Sequence, residues 1–168
     1  EYYSLGKRCL ANYYYKYGPK FSENVHDIEM WLNFKINGFN FRGIIDRLDY
    51  AGDGSWIIHD YKTGKKALTS VGAKRDMQLA LYQMAIEQQF EEVKSIELRW
   101  HFLQQGIERS VVHTKDSLNK IKENLISMIH NIKDNETFEP KETMLCNWCH
   151  YWEDCPVKRG KNPARQAL

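Results

Sequence analysis

Asp46 lies in the segment GIIDRLD, and Asp60 and Lys62 stand two residues apart in IIHDYKTG. If both segments are adjacent strands, the two carboxylates can meet. Paired carboxylates suit phosphodiester hydrolysis, because Mg²⁺ or Mn²⁺ prefers oxygen ligands and lowers the pKa of a bound water. Period two along a strand puts Asp60 and Lys62 on one face of the sheet. There the ammonium could orient the attacking water and offset charge in the transition state, an effect on the order of 3 kcal/mol per donor. The Tyr61 backbone carbonyl is a further candidate metal ligand. Gln78 and Tyr82 are spaced i and i+4 and would project from one face of a helix, to bind nucleic acid or to position Lys62. Gly43, three residues before Asp46, lets another backbone or a substrate approach closely.

A second group with chemical potential lies near the C-terminus. Of four cysteines, Cys146, Cys149 and Cys155 fall within ten residues, and Cys9 is far upstream. Such crowding in an intracellular protein favours a metal or cluster over disulfides. Soft thiolates at these spacings suit an iron–sulfur cluster or zinc, with His150 as an alternative zinc ligand of awkward geometry beside Cys149. Cys9 is the in-chain candidate for a fourth ligand, and equally a small core residue within a helix. Trp148, Tyr151 and Trp152 read as packing that shields the thiolates.

Elements must position these groups. Tyr2, Leu5, Cys9, Leu10, Tyr13 and Tyr17 recur at helical spacing until Gly18-Pro19. Ile28, Met30, Leu32, Phe34 and Ile36 alternate with polar residues as in a strand, and His26 ahead of them reads as a loop residue. Asn37-Gly38 signals a hairpin into a second strand, 39–50, and Gly52-Asp53-Gly54 a turn into a third, 55–62. A helix is expected over about 73–90 with Met77, Leu81, Met84 and Ala85 inward, then strands over 95–104 and 107–113. A last helix starts at a Thr114 cap and carries Leu118, Ile121, Leu125, Met128 and Ile132 on one stripe. The expected fold is α/β (α+β), a mixed sheet of about five strands flanked by helices. Residues 1–140 would form the core, and residues 141–168 a cysteine-bearing tail packed on it.

In this order, GxxD on one strand, a hydrophobic run ending in DYKTG on the next and QLALY on the following helix, the sequence resembles the RecB-type branch of the PD-(D/E)XK nuclease superfamily. AddB-type nuclease domains and CRISPR-associated iron–sulfur exonucleases belong to that branch. The resemblance implies a restriction-endonuclease-like core, Mg²⁺ or Mn²⁺ dependence, and cleavage of DNA ends, often beside a helicase domain or subunit. By that resemblance Asp46 and Asp60 hold metal, Lys62 is the catalytic lysine, and Gln78 with Tyr82 form the Q-x-x-x-Y motif. Cys146, Cys149 and Cys155 resemble the C-terminal part of a [4Fe-4S] ligand set whose fourth member comes from upstream. The family usually adds a metal ligand, commonly a His, on an N-terminal helix, and none precedes His26. That ligand then lies on a missing upstream segment, or this site binds metal less completely.

Bulk properties bound the rest. A chain of 168 residues suits one domain with an appendage. It opens on Glu within an already helical pattern, as expected of a piece of a longer chain. The net charge of +2 neither announces nor excludes a polyanionic partner. Lys65, Lys66, Lys74 and Arg75 could track phosphates or be an ordinary solvated loop. No apolar run could span a bilayer and no secretory leader is present, so a soluble cytoplasmic protein is expected. The functional expectation is a DNA exonuclease or end-processing nuclease of repair, recombination or defence. Its alternatives are a non-catalytic DNA-binding iron–sulfur module and a zinc-binding interaction domain.

Overall fold

The structure is a computed structural model describing residues 1–19, 23–137, 139–158, 160 and 162. The elements are α1 (Tyr2–Tyr17), β1 (Val25–Ile36), β2 (Phe39–Gly52), β3 (Ser55–Lys62), α2 (Ser70–Lys74), α3 (Met77–Gln89), β4 (Ser95–Phe102), β5 (Ile107–Val112) and α4 (Lys115–Asp134). A short 3-10 turn, Met144–Trp148, follows. The chain divides into two compact units, Glu1–Ser127 and Met128–Leu168.

The first unit holds a five-stranded mixed sheet in the order β1-β2-β3-β4-β5. Asn37 and Gly38 have φ of 47° and 82°, the left-handed pair that a two-residue hairpin needs, and so join β1 to β2 tightly. Strands β3 and β4 run parallel, with Asp60 opposite Trp100 and Lys62 opposite Phe102. A parallel pair needs a long crossover, and α2 and α3 supply it. That crossover brings α3 onto the face bearing Asp60 and Lys62.

Under α3 the core is apolar. Leu32, Ile45, Leu48, Ile58, Leu79, Ile86, Ile96, Leu98 and Trp100 are buried in one cluster. Helix α3 is buried nearly all round, at Leu79, Ala80, Gln83, Met84, Ala85 and Ile86. The expected inward set was therefore off by a rotation: Met84 and Ala85 are buried, Met77 and Leu81 only partly. The single helix expected over 73–90 is two helices. Asp76 leaves the helical conformation, with ψ of 120°, and its carboxylate accepts from the Leu79 amide at 3.1 Å, so it caps a new helix.

Strand β2 is not in phase throughout. Gly43 and Ile45 face α3 before Asp46, and Leu48 does so after it, while Arg47 turns to the opposite side. The alternation slips by one residue at Asp46. Across the hairpin Glu29 has φ of 51°, and it and Asp46 drop out of the ladder together without a change of register between Ile28 and Met30; the register shift of this pair lies between Val25 and Asp27.

The opposite face is polar yet sealed by α1. Asn12 donates to the carbonyls of Leu103 and Gln104, Tyr13 meets Tyr61, and Tyr17 meets His101 and Glu108. His26 is not a loop residue, because it lies in β1 with its ring edge-on to Trp56 and Phe90. The Thr114 cap of α4 is formed by its hydroxyl accepting from the Ser117 amide. The buried stripe of α4 comprises Leu118, Ile121 and Leu125, whereas Met128 and Ile132 are exposed.

In the second unit, Thr143 caps the 3-10 turn through the Leu145 amide, and its own amide donates to Cys146 Sγ. Lys158 pairs with Glu142 and lies over the Trp152 ring. No helix among the described residues is long and apolar enough to cross a membrane.

Candidate active site

Antiparallel β2 and β3 pair as far as Arg47 opposite His59 and separate one residue further on, at Asp46 and Asp60. The Asp46 carboxylate fills that gap and accepts from the Tyr61 amide at 2.8 Å. The slip in β2 is what aims Asp46 between the strands. Asp60 projects to the α3 face, its side chain buried to 5% exposure, and Lys62 two residues on donates to its Oδ1 at 2.8 Å.

A chain of contacts runs outward from this pair. The Lys62 ammonium also donates to Gln78 Oε1 at 3.3 Å, and the Gln78 amide donates to the Tyr82 hydroxyl at 3.2 Å. The Tyr82 ring lies against the backbone of β2 at Gly43, where a Cβ would come within 2.5 Å of the ring. A side chain there would displace Tyr82, so glycine is required by contact rather than by backbone conformation. Asp60, Lys62, Gln78 and Tyr82 thus form one connected string beside Asp46. The exposed cations Lys65, Lys66, Lys74 and Arg75 lie on the segment between β3 and α3.

The electrostatics single out Asp60. Burial raises its pKa above the usual carboxylate value, Lys62 pulls it down, and the charges of Asp46 and Asp76 raise it again. Its second oxygen, Oδ2, is buried without a hydrogen-bond partner. A buried unpartnered carboxylate oxygen needs a cause. A divalent cation is a fitting one, since Mg²⁺ is commonly held by one or two carboxylates together with waters and substrate phosphates. Among the described residues no three His, Cys, Asp or Glu side chains converge as a ligand group. The donors present are therefore carboxylates in a pair rather than a closed cage, and they fit an open hard-cation site.

Sequence reasoning missed Asp76. Its signal was an Asp two residues before Gln78 and three before Leu79, a cap pattern hidden by reading the helix as continuous. It also missed two glutamines that hold the segment after Lys62. Gln104 donates to the Thr63 carbonyl, and Gln105 to those of Gly64 and Lys65 at 3.3 and 2.7 Å.

Behind the site, on the α1 face, lies a buried polar network. Arg47 makes a two-pronged ion pair with Asp49, whose carboxylate also meets His59 Nε2 at 3.0 Å. His59 Nδ1 and His101 Nε2 are 2.8 Å apart, and His101 Nδ1 reaches the Tyr17 hydroxyl at 3.1 Å. Burial lowers His59 to about 4 and His101 to about 3, helped by Arg47 for the first and by His59 for the second. Tyr61, stacked on His101, is raised by burial and by its bond to Tyr13. This network backs the very strand that carries Asp60 and Lys62.

A family profile of the PD-(D/E)XK nuclease superfamily matches residues 4–156. The chain belongs to this superfamily. The matched span runs from α1 past the cysteines, and the five-stranded mixed sheet with flanking helices is its restriction-endonuclease-like fold. Among solved structures, one from Eubacterium rectale designated "putative exonuclease" is similar at a TM-score of 0.52 and 17% identity, over 98% of this chain and 65% of that one. A second, SSO0001, has a TM-score of 0.43 and 17% identity, over 80% of this chain and 61% of that one. At such identity the first likeness speaks for the fold alone. The chain spans less than two thirds of the length of either. No curated protein matches it.

Cys146, Cys149 and Cys155 are free and half-buried, and Cys9 is buried within α1. As placed, the described thiols form no ligand group of three.

Proposed function

We propose that this domain is a metal-dependent DNA nuclease, an exonuclease or end-processing enzyme of the RecB/AddB type. The observation that carries the reading is the buried Asp60 carboxylate. One of its oxygens is held by Lys62 and the other has no partner, at the end of a string leading through Gln78 to Tyr82. Superfamily membership supports it, because these nucleases generally use divalent metals such as Mg²⁺ or Mn²⁺.

In this reading Asp46 and Asp60, with the Tyr61 carbonyl, hold Mg²⁺ or Mn²⁺, which when bound supplies a water of lowered pKa. Asp46 is fixed by the Tyr61 amide. Lys62 orients the attacking water and offsets charge on the scissile phosphate. Gln78 steadies Lys62, and its amide is in turn steadied by Tyr82. Lys65, Lys66, Lys74 and Arg75 track the DNA backbone. A role in repair, recombination or defence, a helicase partner and a cytoplasmic setting belong to the same proposal. So does the cysteine-bearing tail, 141–168, packed on the core as a [4Fe-4S] or zinc appendage. The tail's part rests on thiolate spacing alone, and no catalytic step is routed through it.

The test is degradation of end-labelled single- and double-stranded DNA in Mn²⁺, Mg²⁺ and EDTA. Cleavage is expected with metal only, and Lys62→Ala should lower it at least about a hundredfold while leaving the melting temperature near that of the native protein. Metal-independent DNA binding without cleavage would favour the non-catalytic module instead.

A further inference from the structure

Helix α1 does more than cover the sheet. Tyr3, Lys7, Leu10 and Tyr14 are spaced four, three and four residues apart, and therefore form one stripe along the helix. The face that carries Cys9, Tyr13 and Tyr17 is turned to the sheet, whereas Tyr3, Leu10 and Tyr14 are 75%, 71% and 55% exposed. The Lys7 ammonium lies over the Tyr3 ring, 4.9 Å from its centre. Tyr2 and Tyr15 are also open to solvent.

The charge of this helix is one-sided. Residues 2–17 include Lys7, Arg8 and Lys16 and no Asp or Glu. Lys16 is paired with Glu108 at 3.3 Å, so Lys7 and Arg8 are the cations left at the stripe's end. The stripe itself carries rings and Lys7, with the exposed Glu1 at the helix cap outside it, and rings beside a cation suit a polyanion with flat apolar groups.

The helix is also braced to the catalytic edge. Asn12 grips the carbonyls of Leu103 and Gln104, and the side chains of Gln104 and Gln105 grip the carbonyls of Thr63, Gly64 and Lys65, just after Lys62. Tyr17 meets His101 and Asn12 meets Leu103, so α1 runs inward from the sheet edge where β3 and β4 end. Its first two turns, with Tyr3 and Lys7, lie toward that edge. We propose that the Tyr3–Lys7–Leu10–Tyr14 stripe is a stacking platform for single-stranded nucleic acid, holding the strand whose backbone passes Lys62. Unpaired bases offer their faces to the tyrosines, whereas duplex bases are already stacked on one another. The inference depends on the nuclease reading for the link to cleavage, but not for the binding itself.

Fluorescence anisotropy in EDTA, with a labelled oligo-dT of about 20 nucleotides and a duplex of the same length, tests it on the whole chain. The native protein should bind oligo-dT more tightly than duplex. Tyr3→Ala with Tyr14→Ala should weaken oligo-dT binding about tenfold or more with an unchanged melting temperature, and Tyr3→Phe with Tyr14→Phe should retain it. The same alanine variant should hydrolyse thymidine 5′-p-nitrophenyl phosphate in Mn²⁺ at the native rate. Three results overturn the platform: no oligo-dT binding, equal binding by the alanine variant, or a native dimer that this variant splits without changing oligo-dT affinity. Failure of the native protein to hydrolyse the small ester or DNA would sink the nuclease reading and leave the binding result to stand or fall by itself.

Discussion

On β3, His59 and Asp60 are consecutive residues that face opposite sides of the sheet, and both are buried. Under α1, Arg47, Asp49, His59 and His101 satisfy one another, and none of them has a buried side-chain nitrogen or oxygen without a partner. Under α3, Asp60 keeps one oxygen unpartnered, and its only strong support, Lys62, is partly exposed. Sealing polar groups in pairs builds a rigid backing, while leaving one acceptor unmet stores a demand that an arriving cation can meet. On the proposed reading, the same strand thus serves stability on one side and chemistry on the other.

If that division is right, the largest effect on folding comes from the sealed face. Asp49→Ala removes the carboxylate that pairs with the buried Arg47 guanidinium and meets His59, and should cost about 3–5 kcal/mol of unfolding free energy, read by urea titration. Asp60→Asn, by contrast, removes a carboxylate that burial already opposes, and should cost much less stability while losing cleavage. Equal losses of stability would erase the distinction between the faces.

Acid should attack the sealed face next. His59 and His101 are held neutral in the folded state, at about 4 and about 3, and bind protons readily when unfolded. The unfolded chain therefore binds more protons between pH 6.5 and 4, and stability falls as the pH is lowered through that window. For His59 alone the loss is on the order of 3 kcal/mol by pH 4. His59→Gln should flatten the slope in a series of melts from pH 7 to pH 4, and an unchanged slope would mean the network is not what titrates.

The smallest effect sharpens the catalytic side. Gly43→Ala places a methyl where the Tyr82 ring lies, so the ring must move, at a cost of about 1–3 kcal/mol. Because Tyr82 steadies Gln78 and Gln78 meets Lys62, cleavage should fall further than stability. Restoration of activity by a second change, Tyr82→Leu, would show instead that the motif is only packing.

The division was half legible in the sequence. Period-two alternation placed Asp60 and Lys62 together, Asn37-Gly38 fixed the hairpin, and the i, i+4 spacing brought Gln78 and Tyr82 to one face. Arg47, Asp49 and His59 were not singled out, because alternation cannot say whether a polar face meets water or another element. Tyr13 and Tyr17 read as apolar positions of a helix, and their hydroxyls were what sealed that face. The slip at Asp46 and the cap at Asp76 escaped for a related reason. Both interrupt a period that local pattern reading carries straight through.

Manganese titration followed by electron paramagnetic resonance tests the central claim most directly, using the native protein, Asp60→Asn and Asp49→Asn. The account predicts that the native chain binds Mn²⁺, that Asp60→Asn loses this binding at least about tenfold, and that folded Asp49→Asn retains it. Native-strength Mn²⁺ binding by Asp60→Asn would contradict the assignment of the unpartnered carboxylate as the metal's anchor.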